Sequence, residues 1–508
     1  MNISRRWFIG GAASLGAMQG CRVMESAFGL GGTPRLRFGV VSDIHVIAEN
    51  VDAGRQGNTR VFRNALKWFD RRGVDAVMIA GDMADAGLFS QLQCVADAWF
   101  SVFPNNRSLL DGRPVEKVFI YGNHDWEGQY YDYTIFGRPS LKLSADQMRR
   151  IGMKKSWEEI FQEEYTPFYR KTIKGYDFFG SHWDGSAGAN WAGNPWVKDH
   201  FAKLEGKLDP HLPFFYCQHP HLKDTVYGAD AWGHDDGSST QALSAFPNAV
   251  AFSGHSHYSL VDERSIWQGA FTSIGTGSLR YSCLYASDVN STGGYENYGR
   301  EGGTKEHSIE DRLLPAMPPE DLRDGLLVSV YDDRLEIERR DFERNLPLAS
   351  TWILPLPAAE SRPFAFAEHA RRTPVSAFPK GATVRIEKEE GKVLSRAHQE
   401  WKPGESDADK AAQRVKTWQL VFPAALETET CRAWRYDIEA VDQTNKQLVL
   451  RRYLSPSAIS PLGTAEKEIL FFVAHKSIPK GTLFRFKVTP VNCFGQKGEP
   501  IYSSELMS

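Results

Sequence analysis

The sequence lacks three features that would assign it quickly to a broad class of protein. Six cysteines are few for 508 residues and include no C-x-x-C pair, which excludes a disulfide scaffold and a cysteine-based zinc site. No run of about 18 or more apolar residues is present, which excludes an ordinary membrane-spanning helix. Lys and Arg number 60 against 63 Asp and Glu, so the strongly basic footprint of a nucleic-acid-binding protein is missing. We therefore expect no nucleic-acid scaffold among its partners.

What the sequence does contain is enough apolar residues for a sizeable core and an uneven distribution of histidine. Hydrophobic residues make up 42% of the chain and aromatic residues 12%, which fits a β-rich component or a substrate-binding surface. A length of 508 residues corresponds to two to four domains of ordinary size. Eleven of the fourteen histidines lie at or before residue 307, so histidine chemistry is expected in the N-terminal part.

Residues 1–33 are predicted to be an export segment rather than part of the fold. The pair Arg5-Arg6, with Phe8 close behind and a short apolar stretch after it, resembles a twin-arginine export signal. Gly20-Cys21 resembles a lipoprotein cleavage site, whereas Met18-Gln19 depart from its usual pattern. We therefore expect an exported bacterial protein, periplasmic or attached to the envelope, with lipid attachment at Cys21 left open.

The hydrophobic pattern divides the rest of the chain into two predicted domains. Residues 34–345 begin with strand-like, helical and strand-like segments, a βαβ unit that predicts an α/β domain. Residues 346–372 are rich in proline without helical or strand rhythm, which predicts a linker. Residues 373–508 alternate apolar and polar side chains, which predicts half-buried antiparallel strands and a C-terminal all-β sandwich.

Five polar clusters follow strand-like runs in the first predicted domain. They are Asp43-Ile44-His45, Gly81-Asp82, Gly122-Asn123-His124-Asp125, Gln218-His219-Pro220-His221 and Gly254-His255-Ser256-His257. Ligands of open α/β sheets bind at the carboxyl ends of strands, so these clusters are expected to converge. A single buried histidine is more often a core residue than a ligand, but five such clusters in order favour a common site.

The residue types in these clusters suit a pair of metal ions. Two divalent ions about 3.5–4 Å apart need a bridging carboxylate and further nitrogen and oxygen ligands on each side. The candidate ligands are Asp43, His45, Asp82, Asn123, His219, His255 and His257. Because no thiolate is among them, manganese, iron or zinc is expected rather than copper(I) or an iron–sulfur cluster.

The order D-x-H, GD, GNHD, His and GH-x-H resembles the calcineurin-like, purple acid phosphatase-like metallophosphoesterase superfamily over residues 36–260. The resemblance implies a two-sheet sandwich flanked by helices. It implies one ion held by Asp43, His45 and His257, and a second held by Asn123, His219 and His255, with Asp82 bridging. It also implies that His124 donates a proton or binds the phosphoryl group, oriented by Asp125. The end of the second predicted domain resembles a fibronectin type III hairpin, although a generic β-sandwich remains open.

From these features we expect a phosphoric ester hydrolase acting on a small phosphate ester, mono- or diester. A hydroxide between two dications is nucleophilic near neutral pH, and it would attack phosphorus in line while His124 assists the departing alkoxide. The alternative is a non-catalytic envelope or glycan-binding protein whose C-terminal sandwich is the functional module. The complete ligand set favours the enzyme. The sequence does not indicate the substrate, the oligomeric state or the metal.

Overall fold

A computed structural model of the chain describes residues 32–46, 57–87, 89–130, 153–185, 188–189, 193–228, 231–282, 322–390 and 416–508. The predicted export segment, including Cys21, lies outside the described residues except for its last two positions. Within the described part, no helix is both long and apolar enough to cross a membrane.

The N-terminal part of the chain forms two β-sheets. The strands of the first sheet are β1 (Leu36–Val41), β2 (Ala76–Ala80), β3 (Glu116–Ile120), β10 (Asp324–Val330), β11 (Arg334–Asp341), β12 (Leu346–Pro347) and β13 (Trp352–Pro355). Those of the second are β4 (Phe168–Ile173), β5 (Tyr176–Ser181), β6 (Phe214–Cys217), β7 (Ala249–Ser253), β8 (Ile266–Gln268) and β9 (Thr272–Gly275). The spatial orders are β12-β11-β10-β1-β2-β3, with β13 also on β11, and β4-β5-β6-β7-β9-β8.

Each sheet has a parallel centre. Strands β1, β2 and β3 are parallel in the first sheet, and β5, β6, β7 and β9 are parallel in the second. Central strands such as β2, with the sequence AVMIA, are buried on both faces, which explains their continuous apolar runs. The carboxyl ends of parallel strands share one edge of each sheet, and the polar clusters follow at these edges.

The two sheets pack face to face through aromatic side chains. The ring of Phe38 on β1 lies edge-on to Phe178, Phe215 and Phe252 of the second sheet, with centroid distances of 5.1, 4.7 and 5.8 Å. Edge-to-face pairs of this kind stabilise a core beyond the area that they bury, by about 0.5–1.5 kcal/mol per pair. This contact holds together the two sheets that carry the polar clusters.

Helices cover the outer faces of both sheets. They are α1 (Gly57–Arg71), α2 (Phe89–Val102), α4 (Met153–Phe161), α5 (Pro195–Leu204) and α6 (Ser238–Leu243). Two further helices are α3 (Asn123–Tyr130), which begins just after β3, and α7 (Phe366–Arg372). Helix α1, which corresponds to the predicted helical segment, packs on the first sheet through Phe62, Leu66 and Phe69. Phe201 of α5 packs in the same way on the second sheet. The predicted fold class, a two-sheet sandwich flanked by helices, is confirmed.

The C-terminal part is built of two further sheets. Strands β14 (Arg385–Glu390), β15 (Lys416–Pro423) and β18 (Glu468–Ala474) form one, and β16 (Arg435–Asp442), β17 (Gln447–Leu454), β19 (Leu483–Val491), β20 (Ile501–Tyr502) and β21 (Leu506–Met507) form the other. All pairings in them are antiparallel. Trp418 packs on Phe484 and Phe422 on Tyr436, which joins the sheets through one core. An all-β sandwich was predicted; its fibronectin type III character stays a prediction.

The segment 346–372 differs from the linker predicted for it. It contains β12 and β13, both paired with β11, and then α7. Pro347 and Pro355 lie at the ends of these short strands at the edge of the sheet, where a missing N–H group is tolerated. Proline richness therefore marked edge strands rather than an unstructured connection. The exact domain boundaries stay a prediction.

The C-terminal sandwich packs directly on the first domain. The guanidinium of Arg264 lies 5.5 Å from the ring centroid of Trp434. The amide of Ser350 donates a hydrogen bond of 3.2 Å to the carbonyl of Glu429, and Arg432 donates to the carbonyl of Leu348. One hydrophobic cluster includes residues of both parts, so their relative position is fixed by packing as well as by the chain.

Candidate metal centre

The polar clusters predicted from the sequence lie at the carboxyl ends of parallel strands from both sheets. Asp43 and His45 follow β1, Asp82 follows β2, Asn123 begins α3 just after β3, His219 follows β6, and His255 and His257 follow β7. All seven residues are buried. Because the sheets pack face to face, the two edges bring these side chains into one place.

Asp43, His45 and His257 form one group, which we call the first half-site. The Nε2 atom of His257 lies 3.0 Å from Oδ1 of Asp43 and 3.1 Å from Nε2 of His45. One nitrogen or oxygen atom from each of the three residues lies within 4.8 Å of the others, as ligands of one ion require. The resemblance implied these same three residues for one ion.

Asp82, His219 and His255 form a second group, with ligand atoms that also lie within 4.8 Å of one another. We call His219 and His255, together with the neighbouring Asn123, the second half-site. Asn123 sits beside it, because the amide of the next residue, His124, donates a hydrogen bond of 2.9 Å to Oδ1 of Asp82. The side-chain oxygen of Asn123 is buried. The structure thus brings together all seven predicted ligands, whose roles as ligands stay a prediction.

The carboxylate of Asp82 stands between the half-sites. Its Oδ2 atom lies 3.1 Å from Nε2 of His219 and 3.5 Å from Nε2 of His45, one residue in each half-site. Oδ1 is held in place by the His124 amide. A carboxylate that faces imidazoles on both sides is positioned to bridge two cations.

Two buried atoms of the candidate ligands, one in each half-site, make no hydrogen bond of acceptable geometry. Oδ1 of Asp43 accepts no hydrogen bond of acceptable geometry, although His257 Nε2 is 3.0 Å away. The same holds for Nε2 of His219, which lies 3.1 Å from Asp82. A buried polar atom without a partner is destabilising, and a bound cation would satisfy such atoms. The residues present therefore fit a two-metal centre.

The electrostatics of the centre favour positive charge on two of its histidines, His45 and His219, whereas burial and the nearby His219 lower the pKa of His255 to about 3. Burial lowers the pKa of His45, but Asp43, Asp85 and Asp82 outweigh it and raise that pKa to about 10. Burial also lowers the pKa of His219, but Asp82 and Asp43 outweigh this effect and raise that pKa to about 9. Metal ligands must be deprotonated, so divalent cations would displace these protons and take over the neutralisation of the carboxylates.

At the centre, several residues have a backbone conformation with positive φ, which residues other than glycine rarely adopt. Positive φ angles occur at Asp43 (50°), His45 (44°), Asp82 (49°), His255 (74°) and His257 (56°). Each costs roughly 1–3 kcal/mol and persists only where the surrounding structure enforces it. Five of the seven candidate ligands share this feature, which turns the chain sharply at the strand ends and aims the side chains inward.

Two glycines lack a side chain at positions where the carboxylates of Asp43 and Asp82 approach the backbone closely. A Cβ atom at Gly254 would lie 2.5 Å from Oδ2 of Asp43, and one at Gly122 would lie 2.2 Å from Oδ1 of Asp82. Real Cβ atoms do not approach oxygen so closely, so any larger residue would displace a carboxylate. Glycine is therefore needed at Gly254 and Gly122, because carboxylates that follow other strands contact the backbone there.

The predicted catalytic pair has a different geometry from the one expected. Nδ1 of His124 lies 2.9 Å from the carbonyl oxygen of Asp85, so this carbonyl, rather than Asp125, orients the ring. The carboxylate of Asp125 accepts hydrogen bonds from the amides of Met83, Ala84 and Gly122, and thereby ties the ends of β2 and β3 together. The orienting role predicted for Asp125 is corrected accordingly.

Two aromatic residues near the ligands were missed by sequence reasoning. Trp232 stacks on His255, with centroids 4.6 Å apart, and Tyr281 stacks on His257 at 4.0 Å. Both lie in segments without periodicity, so no motif marks them. The high aromatic content was the one sequence signal that pointed to a substrate-binding surface.

The arrangement predicts that Asp82 is required for full metal occupancy. Asp82→Ala removes the carboxylate between the half-sites and leaves the two cations to repel each other. Metal content, measured by elemental analysis after manganese loading and desalting, should fall below two ions per chain. Asp324→Asn, which alters a buried carboxylate outside both half-sites, should retain two. An Asp82→Ala protein with two bound ions would falsify the assignment.

Comparison with known proteins gives a family for this part of the chain. Residues 36–259 match the family described as Calcineurin-like phosphoesterase. No curated protein matches the sequence significantly.

Similar solved structures include a dimetal phosphatase from Danio rerio, at 12% identity and a TM-score of 0.35, covering 63% of this chain and 99% of that one. A purple acid phosphatase from yellow lupin (Lupinus luteus) seeds is similar at 12% identity and a TM-score of 0.37, covering 63% of this chain and 53% of that one. Zinc-bound Vps29 from Entamoeba histolytica is similar at 9% identity and a TM-score of 0.26, over 63% and 99%. Residues 36–259, somewhat less than half of this chain, are thus similar to the calcineurin-like phosphoesterase family.

Proposed function

We propose that this protein is an exported phosphoesterase with a two-metal centre, which hydrolyses phosphate mono- or diesters by in-line displacement. The observation that carries the proposal is the position of Asp82, whose Oδ2 atom faces His45 in one half-site and His219 in the other. Such a carboxylate suits two cations held side by side, and the family match favours phosphoester chemistry for them.

The residues assigned to each ion are those of the two half-sites. Asp43, His45 and His257 would hold one ion, while His219, His255 and Asn123 would hold the other. When bound, two such ions supply Lewis acidity for the phosphoryl oxygens and lower the pKa of water to generate a nucleophile. Manganese, iron and zinc all suit these nitrogen and oxygen donors.

His124 is the chain's own proton donor in this proposal. Its Nδ1 atom donates to the carbonyl of Asp85, which fixes the ring and leaves Nε2 to exchange a proton with substrate. The ring centroid lies 4.6 Å from that of His45, so His124 borders the first half-site. In the hydrolysis, water oxygen adds to phosphorus, the ester P–O bond breaks, and the departing alkoxide takes the proton of His124.

The substrate class is tested by assaying purified, metal-loaded protein. Elemental analysis should find two ions per chain, and a panel of phosphomonoesters, phosphodiesters and nucleotides should contain hydrolysed members. If the protein binds two ions but hydrolyses no compound of the panel, the result would favour the alternative function, in which the C-terminal sandwich binds a partner or glycan.

The role of His124 predicts a defect that depends on the leaving group. His124→Ala should retain both metals, because His124 is not one of the seven residues assigned to the ions, although its ring lies within 4.8 Å of ligand atoms of His45 and Asp85. Against an alkyl phosphate, the loss of a general acid should lower kcat/KM by roughly 10²–10⁴-fold. Against a nitrophenyl ester, whose leaving group departs as a stable anion, the decrease should be much smaller.

The control for this experiment is His211→Ala, which removes an exposed histidine on a distant turn and should leave all rates unchanged. His124→Asn keeps a donor near the carbonyl of Asp85 but cannot act as an acid, and it should resemble His124→Ala. An equal defect for every substrate would contradict the acid role and leave His124 as a phosphoryl-binding residue.

Export is part of the proposal because of the twin arginines and the apolar stretch after them. Replacing Arg5-Arg6 by two lysines should retain the protein in the cytoplasm, as judged by cell fractionation, because a twin-arginine pathway recognises the pair. Arg22→Lys, a basic substitution outside the pair, should be exported normally. Normal export of the double-lysine variant would contradict this route. Lipid attachment is tested separately with Cys21→Ala, by measuring how much of the protein is in the membrane fraction. An unchanged membrane fraction would exclude a lipid anchor on Cys21.

A further inference from the structure

An exposed indole lies directly over one of the candidate metal ligands. The ring of Trp232 stacks on that of His255 with centroids 4.6 Å apart and planes inclined by 23°. The imidazole of His255 is buried, whereas Trp232 is 55% exposed. One face of the indole therefore covers a ligand of the second half-site, and the opposite face is the one that a bound molecule can reach.

A packing role alone does not account for this exposure. Trp99, Trp157 and Trp418, which belong to the hydrophobic clusters, are almost completely buried. Keeping a large apolar ring in water forgoes the favourable free energy that its burial would supply. An exposed aromatic ring beside a polar site offers a flat apolar face on which the ring of a ligand can stack.

The backbone holds Trp232 in a defined position. Its neighbour Ala231 is buried in a small cluster with Tyr227 and Tyr258. The amide of His221 donates to the carbonyl of Gly233 at 2.8 Å, and the amide of Asp235 donates back to the carbonyl of His221 at 2.8 Å. The indole is thus presented by a hydrogen-bonded segment anchored beside β6.

A second ring occupies the corresponding place over the first half-site. Tyr281 stacks on His257 with centroids 4.0 Å apart, and its carbonyl lies 3.2 Å from Nδ1 of that histidine. The metal centre therefore has an aromatic side chain over each half-site. Of the two, Trp232 is the exposed one, so it is the better placed to contact the organic part of a substrate.

We propose that Trp232 is a specificity-determining residue that stacks on a planar ring of the substrate, so that the enzyme prefers phosphoesters of aryl or nucleoside groups. This inference rests on the proposed phosphoesterase function. The imidazole of His255 covers one face of the indole, so the substrate ring would stack on the opposite face while the phosphoryl group binds at the metal centre. Tyr281 covers the other side of the centre and is not needed for the preference.

The test compares the binding of two phosphonates that differ only in the ring. Phenylphosphonate and methylphosphonate are titrated calorimetrically into manganese-loaded wild-type protein and variants. Trp232→Ala should raise the Kd for phenylphosphonate about 3- to 10-fold, which corresponds to about 0.65–1.4 kcal/mol and lies within the range for an aromatic pair. The Kd for methylphosphonate should change less than about 2-fold. Trp232→Phe should largely restore binding of the phenyl compound.

Two controls separate stacking from support of His255. Trp232→Leu keeps an apolar group over the imidazole but offers no aromatic face, so it should resemble Trp232→Ala while retaining two metals. Phe366→Ala removes another exposed aromatic side chain, 51% exposed on α7, and should change neither Kd. Equal weakening of both phosphonates by Trp232→Ala, or no weakening of either, would overturn the inference.

The outcome also separates this inference from the proposed function. If wild-type protein hydrolyses phosphoesters and Trp232→Ala leaves phenylphosphonate binding unchanged, the inference fails and the function stands. If wild-type protein binds neither phosphonate and hydrolyses no phosphoester, both fail.

Discussion

The metal centre depends on the neutralisation of two buried carboxylates, those of Asp43 and Asp82. An ionised carboxylate taken out of water must be neutralised by nearby positive charge or by hydrogen bonds. Here the surrounding groups are imidazoles, and the pKa of His45 rises to about 10 because three carboxylates face it. Protons can provide this charge, but two divalent cations provide more of it and also satisfy the donor atoms that lack hydrogen bonds. Metal binding and the stability of this edge of the fold are therefore linked.

The fold supplies this charge arrangement by making strand ends from two sheets meet. Each sheet would leave its polar residues at an open edge if it stood alone, and the packing of Phe38 on the second sheet brings the edges together. The positive φ angles at five ligands then turn side chains away from the strand direction and into the shared space. Gly122 and Gly254 leave room for carboxylates that arrive from neighbouring strands. Strain and small residues are thus concentrated where the chemistry is expected.

The sequence was informative where structure depends on local pattern. Short apolar runs followed by polar residues predicted the strand ends, and the alternating pattern after residue 373 predicted the C-terminal sheets. It was less informative where a contact joins distant parts of the chain. Asp125 was expected to orient its neighbour His124, but its carboxylate bonds to amides at the end of another strand, Met83 and Ala84. Strands β12 and β13 were missed because edge strands of two and four residues that contain proline are too short to show an alternating apolar and polar pattern.

Trp232 illustrates the same limit within the site. Its importance comes from the side chain on which it stacks, His255, which is more than twenty positions away along the chain, and from its exposure. Neither property is encoded in the residues around it. By contrast, the convergence of the seven candidate ligands could be predicted, because each of them follows a short apolar run that forms a strand.

The central claim, that this centre holds two metal ions with Asp82 between them, is tested most directly by X-ray diffraction from crystals of manganese-loaded protein. Anomalous scattering near the manganese absorption edge would locate the ions without reference to any assumed chemistry. The account predicts two peaks about 3.5–4 Å apart, one among Asp43, His45 and His257 and the other among Asn123, His219 and His255. A single peak, or peaks away from these residues, would contradict it.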